Sequence, residues 1–506
     1  MKRSHDFSRP RELPSRKHSP KDVHGTLRPI FRSRHLRSGC ALRVLSGILT
    51  FSVAGNLSAG ALAEPSGAAG APSSALAAPS GTAAAGVSAW SPAQALTLAR
   101  AGNSYLNLSL IGDVAAGTSS RGDIAETQTG GHAPSQRGFT IQGMEAVFEG
   151  AVDNYFRATM NLAYGLSADG ESYFEMEEAF AETLSLPKGF QLRVGQYLTE
   201  FGRVNTQHAH AWDFVDAPVV TSRLLGPDGL RNPGARLAWL APTPFYSEFF
   251  FGAQNSNGAN AHSFRSTGVH EHGGDEHSEE EGHAHGWEPY EGTIAGRPAS
   301  DLGVRGIGDL LYSARYAFSF EPSETQTILA GVSGAWGPNS TGDGARTQLY
   351  GVDLFWKWKP LNHNRGFPFV SLQSEVLLRG YKAAAAEVEG PQEDGAPTHA
   401  SLPAETFWDW GIYAQVSHGF TPGWVASLRA DYAAPAGEAD YEKILGERDP
   451  ARARRWRLSP ALTWYPTEFS RIRLQYNYDR IDHSRDSHGV WLQIEFLLGA
   501  HAAHKF

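Results

Sequence analysis

Imidazole, carboxylate and guanidinium groups gather in three places along the 506-residue chain. The densest is the run from His270 to His285, which reads HEHGGDEHSEEEGHAH, with His262 just upstream. Imidazole and carboxylate together suit divalent zinc, copper or nickel. The run holds no thiolate and its glycines space it loosely. It therefore reads as a weak, multi-site chelator on an extracellular loop, with His270, His272, His277, His283 and His285 as ligands. The alternative is a solvated acidic loop with incidental histidine. The second group is His208-Ala209-His210, with Asp213 and Asp216 close behind. On an extended segment residues i and i+2 share a face, so His208 and His210 could share one ion. Alternatively they hydrogen-bond within a packed constriction. The third group sits at strand positions that alternation turns inward: Arg157, Arg193, Arg379, Arg429, Arg471, Arg473, Lys357 and Lys359, with Asp353, Glu375, Asp431, Asp479 and Glu495. Such a mixed lining suits a water-filled pore; the alternative is that most of these charges are paired and merely solvate a lumen. His501 and His504 read as paired or exposed near the chain end.

No nucleophile elbow, phosphate loop or HExxH motif accompanies these groups, so the chain is not read as an enzyme. No resident cofactor is expected, only transient zinc or another divalent metal. The single cysteine, Cys40, lies upstream of the expected mature start, which leaves no disulfide and no thiolate site.

The elements that must carry these residues begin with a leader. Residues 1–43 hold twelve basic and three acidic side chains, and the apolar run Val44–Leu62 ends in Ala61-Leu62-Ala63. This is a secretory signal with a long basic leader, residues 1–63, cleaved after Ala63. The whole chain carries −9 and the leader +9, which leaves −18 on the rest. An acidic protein of this kind excludes nucleic acid as a partner. Residues 64–104 read as a low-complexity linker, with a short helix over Ser91–Ala101.

From Tyr105 the period is two. Arg471 to Asp479, RIRLQYNYD, alternates without error, and Phe156–Leu162 and Leu492–Phe496 do the same. Tyr164, Trp239, Trp358, Trp410, Trp424, Tyr432, Trp456 and Trp464 fall near strand ends, as interfacial girdles require. The fold class is therefore all-β: a single transmembrane antiparallel barrel of about 16 strands over residues 105–506, with no plug domain. Strands are expected to start near Tyr105, Phe139, Tyr155, Tyr173, Phe190, Ala235, Tyr246, Asp309, Thr325, Thr347, Phe367, Phe407, Trp424, Arg455, Arg471 and Gly489. Short connections alternate with long ones, the rhythm of a barrel with both termini in the periplasm.

Phe201–Gly234 does not fit that rhythm. It is too long for a turn and too apolar for a solvated loop, with Phe201, Trp212, Phe214, Val219, Val220, Leu224 and Leu225 among its residues. It reads as a loop folded into the barrel, narrowing the pore. Within and around it, GQYLTEFGR, HAHAWDFVDAP and RLLGPDGLRNPGA, together with the chain end FLLGAHAAHKF, resemble the zinc-regulated, so-called TonB-dependent outer-membrane receptor family. That family is similar to the phosphate-selective porin superfamily, and the resemblance covers roughly Asn103 to Phe506. It implies the outer membrane of a Gram-negative bacterium, and Phe506 resembles the terminal aromatic read by the barrel assembly machinery. Expected partners are outer-membrane lipid, small solutes or metal ions, that machinery, and optionally further copies of the chain. The expected function is a passive porin-like channel that captures and admits divalent metal, zinc above all, through the His-rich loop. Three alternatives stay open. One is a TonB-driven, ligand-gated receptor, for which residues 64–104 are far too short to form the plug. Another is an anion or phosphate porin, which would want a more one-sidedly basic lining. The last is a structural or adhesive barrel.

Overall fold

A strand that alternates polar and apolar residues shows one face to each side of its sheet, and neither face can be buried alone. Here the sheet closes on itself. A computed structural model describes residues 95–499, apart from 125, 167–169, 267–292, 301, 394–395, 447–448 and 483. Its strands are β1 (Ser104–Ser119), β2 (Gly138–Ala151), β3 (Phe156–Leu166), β4 (Ser172–Thr183), β5 (Phe190–Leu198), β6 (Arg231–Leu240), β7 (Tyr246–Asn255) and β8 (Leu310–Ser323). They continue as β9 (Gln326–Pro338), β10 (Arg346–Trp358), β11 (Phe369–Ala383), β12 (Glu405–Thr421), β13 (Trp424–Pro435), β14 (Arg455–Thr467), β15 (Ser470–Ile481) and β16 (Ser487–Leu498). Each pairs antiparallel with the next, and β16 returns to β1 in register from Leu110↔Leu498 to Ser119↔Gly489. The barrel of about sixteen strands expected from alternation is thus present, with no plug domain among the described residues.

One expectation is corrected. Where a short helix is predicted over Ser91–Ala101, Leu96–Ala101 is instead a strand paired with the start of β1, from Leu96↔Leu108 to Ala101↔Ser104. Leu, Ala and Arg favour helix, but the free edge of β1 beyond the end of β16 offers hydrogen bonds that outweigh propensity.

The barrel is inside out relative to a soluble protein. Leu354, Val416, Leu428, Leu462, Leu492 and Ile494 are exposed on its outer face, while Arg429, Arg457, Ser459, Arg473 and Gln475 are buried within. Aromatic pairs ring both ends of the outer face. Trp424 stacks on Trp464 and Trp239 on Phe249 at the short-turn end; Trp410 meets Tyr432 and Trp456 meets Tyr478 at the other. A closed strand cylinder with an apolar belt between aromatic girdles satisfies every ladder group without water, and its place is the outer membrane. At the long-loop end a second apolar cluster, including Tyr381, Phe407, Leu402 and Tyr441, stiffens the rim.

Leu428 lies on β13 midway between the girdle residues Trp424 and Tyr432 and is 43% exposed. Leu428→Arg is expected to destabilise the barrel by about 2–4 kcal/mol in reversible unfolding from lipid vesicles. A cost below about 1 kcal/mol would mean that this face is not in hydrocarbon.

Candidate functional site at the barrel constriction

The connection from β5 to β6 turns into the barrel, as its composition predicts. Its neck is closed by Thr199 N–H donating to Leu230 O at 2.8 Å. The Asn205 amide staples both sides, donating to Thr199 O at 2.8 Å and accepting from Leu230 N–H at 2.7 Å. Phe201, Val204, Val219, Val220, Leu224 and Leu225 are all buried against Leu311, Leu349, Leu377 and Tyr413 of the wall. Each such side chain contributes roughly 1.5–3 kcal/mol when removed from water, so the loop docks rather than floats. Within it, α1 (Val219–Leu225) starts after Pro218 and stops at Gly226, whose φ of 108° few other residues adopt. Seven residues cannot hold a helix unaided. Here all seven are buried, and the wall caps the first: Val219 N–H donates to the Asp431 carboxylate at 3.0 Å.

Polar anchors fix the rest of the loop. Asp216 accepts from Arg429 at 2.6 Å, Arg457 at 2.8 Å, Gln475 at 2.9 Å and Asn477 at 2.8 Å. Burial alone would raise its pKa. The Arg457 and Arg429 guanidiniums outweigh that and hold the carboxyl down at about 2. Glu375 accepts the Arg203 and Val204 amides at 3.1 and 2.8 Å. Asp213 accepts from Ser417 at 3.0 Å, and Arg473 donates to Trp212 O at 2.8 Å.

Of the residues expected to line an open pore, most are locked in buried pairs. Arg157 and Arg193 both bind Glu182, the latter at 2.9 Å. Asp353 binds Arg315, and Arg379 binds Asp409 at 2.7 Å. Arg429 also binds Asp431 at 2.9 Å, Arg471 binds Glu495, and Arg455 and Arg457 share Asp479. The paired alternative therefore describes them better than a free lining. Lys357 faces a cavity of about 200 Å³ on the short-turn side of the loop, shared with Arg203, Asp213 and Gln373. Lys359, two residues on, is exposed at the turn after β10.

The histidines are corrected in backbone and in their carboxylate partners, though not in standing together. His208 and His210 are not on an extended segment, because Ala209–Ala211 is a 3-10 turn. Their rings nonetheless stack, with centroids 5.7 Å apart and planes within 2°. They do not join Asp213 and Asp216, whose partners lie on β12–β15. Instead His208 reaches Glu177 through Nδ1 at 2.8 Å and Glu178 through Nε2 at 3.0 Å, and His210 reaches Glu145 at 3.2 Å. His132, from the connection between β1 and β2, grips the other oxygen of Glu177 at 3.0 Å and lies 4.0 Å from Asp228. Its Nδ1 is 2.9 Å from Gln142 O. Burial would lower the pKa of His132. Glu177, with Asp228, overrides this and pushes it up to about 10. Burial likewise opposes charge on His208, and Glu177 and Glu178 raise its pKa well above the ordinary value. One ligand atom from each of Glu145, Glu177 and His208 lie within 4.8 Å of one another, the set among the described residues that could hold a metal.

Sequence reasoning missed His132, Glu145, Asn161, Glu177 and Glu178. Glu177 and Glu178 both face inward because of a β-bulge: Glu178 pairs with Asn161 and Met176 with Leu162, so Glu177 has no partner of its own. The two adjacent glutamates in YFEMEEAFAE, breaking the alternation, were the available signal. The expected chelating run His270–His285 and the chain-end His501 and His504 lie outside the described residues. His262 is described and packs beside Gly226.

Asp216→Asn takes one of two carboxylates from Arg429 and from Arg457, which keep Asp431 and Asp479, and is expected to destabilise the folded barrel by about 1–3 kcal/mol. It should also make the loop cleavable by added protease. In the native protein a depressed carboxyl stabilises above its unfolded value of 3.8 and ceases to do so as pH falls toward about 2. Protease resistance of the loop should therefore be flat from pH 7 to pH 4 and be lost only below that.

No protein-family model matches the chain. In fold it is similar to an anion-selective porin from Comamonas acidovorans, with TM-score 0.46 and 9% identity over 78% of this chain and 100% of that one. It is similar also to the outer membrane channel DcaP of Acinetobacter baumannii, with TM-score 0.47 and 12% identity over 79% and 99%. In sequence it is 30% identical over 395 residues to an "Uncharacterized protein" of Aquifex aeolicus (strain VF5), covering 74% of this chain and 72% of that one. The chain belongs to the same family as that Aquifex aeolicus protein.

Proposed function

We propose that the protein is a passive, porin-like outer-membrane channel for small hydrophilic solutes, and that its constriction favours cations, divalent metal among them. The observation that carries this is the β5–β6 loop, built into the lumen by buried apolar side chains and by Asp216. A structural or adhesive barrel has no need of a docked internal loop. Cation preference is supported by the wall of β2 and β4, where Glu145, Glu177 and Glu178 make ion pairs with imidazoles rather than guanidiniums. A net charge of −18 beyond the leader, from −9 overall and +9 within it, adds a potential that draws cations to the mouth. On this reading the run His270–His285 gathers divalent metal at the cell surface ahead of the constriction. A second reading, a ligand-gated receptor driven by a separate energy-coupling partner, is favoured by how tightly the loop fills the interior.

Single-channel recording on purified protein in planar bilayers decides between these. Discrete conductance steps are expected, with a reversal potential in a salt gradient that marks cation preference. Deleting Gln207–Asp216 should raise the step size. A folded wild type that is silent while the deletion variant conducts would favour the gated receptor, and silence in both would leave an adhesive barrel. Zinc titration with His270, His272, His277, His283 and His285 changed to Ser measures what the surface run contributes.

A further inference from the structure

Among the inward-facing side chains beside the histidines, Asn161 is surrounded by acceptors. The residue is 2% exposed, on β3 opposite the bulge. Its amide nitrogen lies 3.0 Å from Glu145 Oε2, 2.9 Å from Glu177 Oε2 and 3.2 Å from His208 Nδ1. Two amide hydrogens face three polar atoms. Its Oδ1 is buried and takes no hydrogen bond from the protein. Turning the amide round does not help, because Oδ1 would then face two carboxylate oxygens. Neither orientation satisfies the group, and an unsatisfied buried polar group costs about 1–3 kcal/mol. A native protein that keeps such a group usually has a use for it.

From this geometry we infer a binding site for one zinc-type divalent ion between Glu145, Glu177 and His208, completed by Asn161 with its oxygen turned inward. A cation removes the conflict, since all four groups then present a lone pair to it. The ligand atoms are close to the required spacing. Zinc bonds of about 2.0–2.2 Å imply tetrahedral edges of roughly 3.3–3.6 Å. Here the Asn161 contacts are 2.9, 3.0 and 3.2 Å, and Glu177 to His208 is 2.8 Å. A slight opening admits the ion. One imidazole with oxygen ligands suits zinc, cobalt or nickel and disfavours magnesium and calcium, which prefer oxygen alone.

The surroundings are those a ligand set needs. Glu178 Oε2 lies 3.0 Å from His208 Nε2 and would keep that nitrogen protonated, orienting Nδ1 toward the ion. On binding, the Nδ1 proton leaves to solvent and the Nδ1 lone pair takes its place on the metal. His132, fixed through Nδ1 by Gln142 O, holds the remaining oxygen of Glu177. A cavity of about 30 Å³, lined by His132, Glu177, His208 and Asp228, opens beside the cluster and gives the ion its approach. The site goes beyond the channel reading. A barrel that binds metal here without conducting would keep this inference and remove that one.

The test is calorimetry with zinc on the full mature chain in detergent, in a background where His270, His272, His277, His283 and His285 are Ser. One zinc ion per chain is expected, undisturbed by millimolar magnesium. Glu177→Gln and His208→Asn should each weaken binding at least about tenfold. A folded background protein that binds no zinc, or folded variants that bind as tightly as their parent, would overturn the inference; heat-modifiable migration reports folding. If neither variant folds, zinc-edge X-ray absorption on the background protein decides. A shell of one imidazole with oxygen neighbours supports the site, and a shell without imidazole rejects it.

Discussion

Of the anchors that hold the loop crossing the barrel, one carboxylate gathers the most donors. Asp216 takes hydrogen bonds from Arg429, Arg457, Gln475 and Asn477, which stand on β13, β14 and β15. These donors arrive from three strands, so the carboxylate fixes both the height and the rotation of the loop. Val219 then meets Asp431, α1 docks its apolar residues on the wall, and His208 and His210 are carried across to β2 and β4. The apolar contacts by themselves would allow sliding, since burial has no direction; Asp216, with Glu375 and Asp431 beside it, removes that freedom. The arginines donate in fixed forks, which is why this wall uses arginine and not lysine.

The second constraint is the inversion that a membrane imposes. With apolar residues facing lipid, the polar side chains of a strand mostly go inward, and there many are buried beneath the docked loop. Charges that would be hydrated in a wide pore must then pair. This explains Arg315 with Asp353, Arg379 with Asp409 and Arg455 with Asp479. Such pairs solvate one another and leave little net charge on this part of the interior.

The sequence shows the barrel clearly because strand alternation is local. RIRLQYNYD on β15 needs no tertiary information to be read, and the expected strand starts fall within a few residues of those found. The inward fold of the β5–β6 loop was legible for a similar reason, since Phe201, Val219, Val220 and Leu224 have no other place to go. The histidine site was only half legible. His208 and His210 stood out by spacing, but their partners depend on a bulge in β4 and on His132 arriving from a connection that carries no apolar density. Pairing was invisible too: nothing local tells Arg429 that Asp216, more than two hundred residues away, will be its partner. At Leu96–Ala101 local propensity pointed to helix, and an open edge at the barrel seam decided otherwise.

The two walls of the constriction differ in what their charges can do. A guanidinium keeps its proton at any physiological pH, so an arginine–aspartate pair is permanent unless the fold opens. An imidazole can give its proton up, and a carboxylate released from an imidazolium can accept a metal ion in its place. Glu145, Glu177 and Glu178 are neutralised by groups of this second kind, from His132, His208 and His210. Their wall is also where the ladder is bulged and where an amide has no satisfactory orientation. Elsewhere on β4 the carboxylates Glu175 and Glu182 take arginine instead, from Arg231 and from Arg157 and Arg193. Across one docked loop, then, the barrel sets carboxylates paired with imidazoles beside carboxylates paired with guanidiniums, and only the first kind can exchange its counter-charge for another cation.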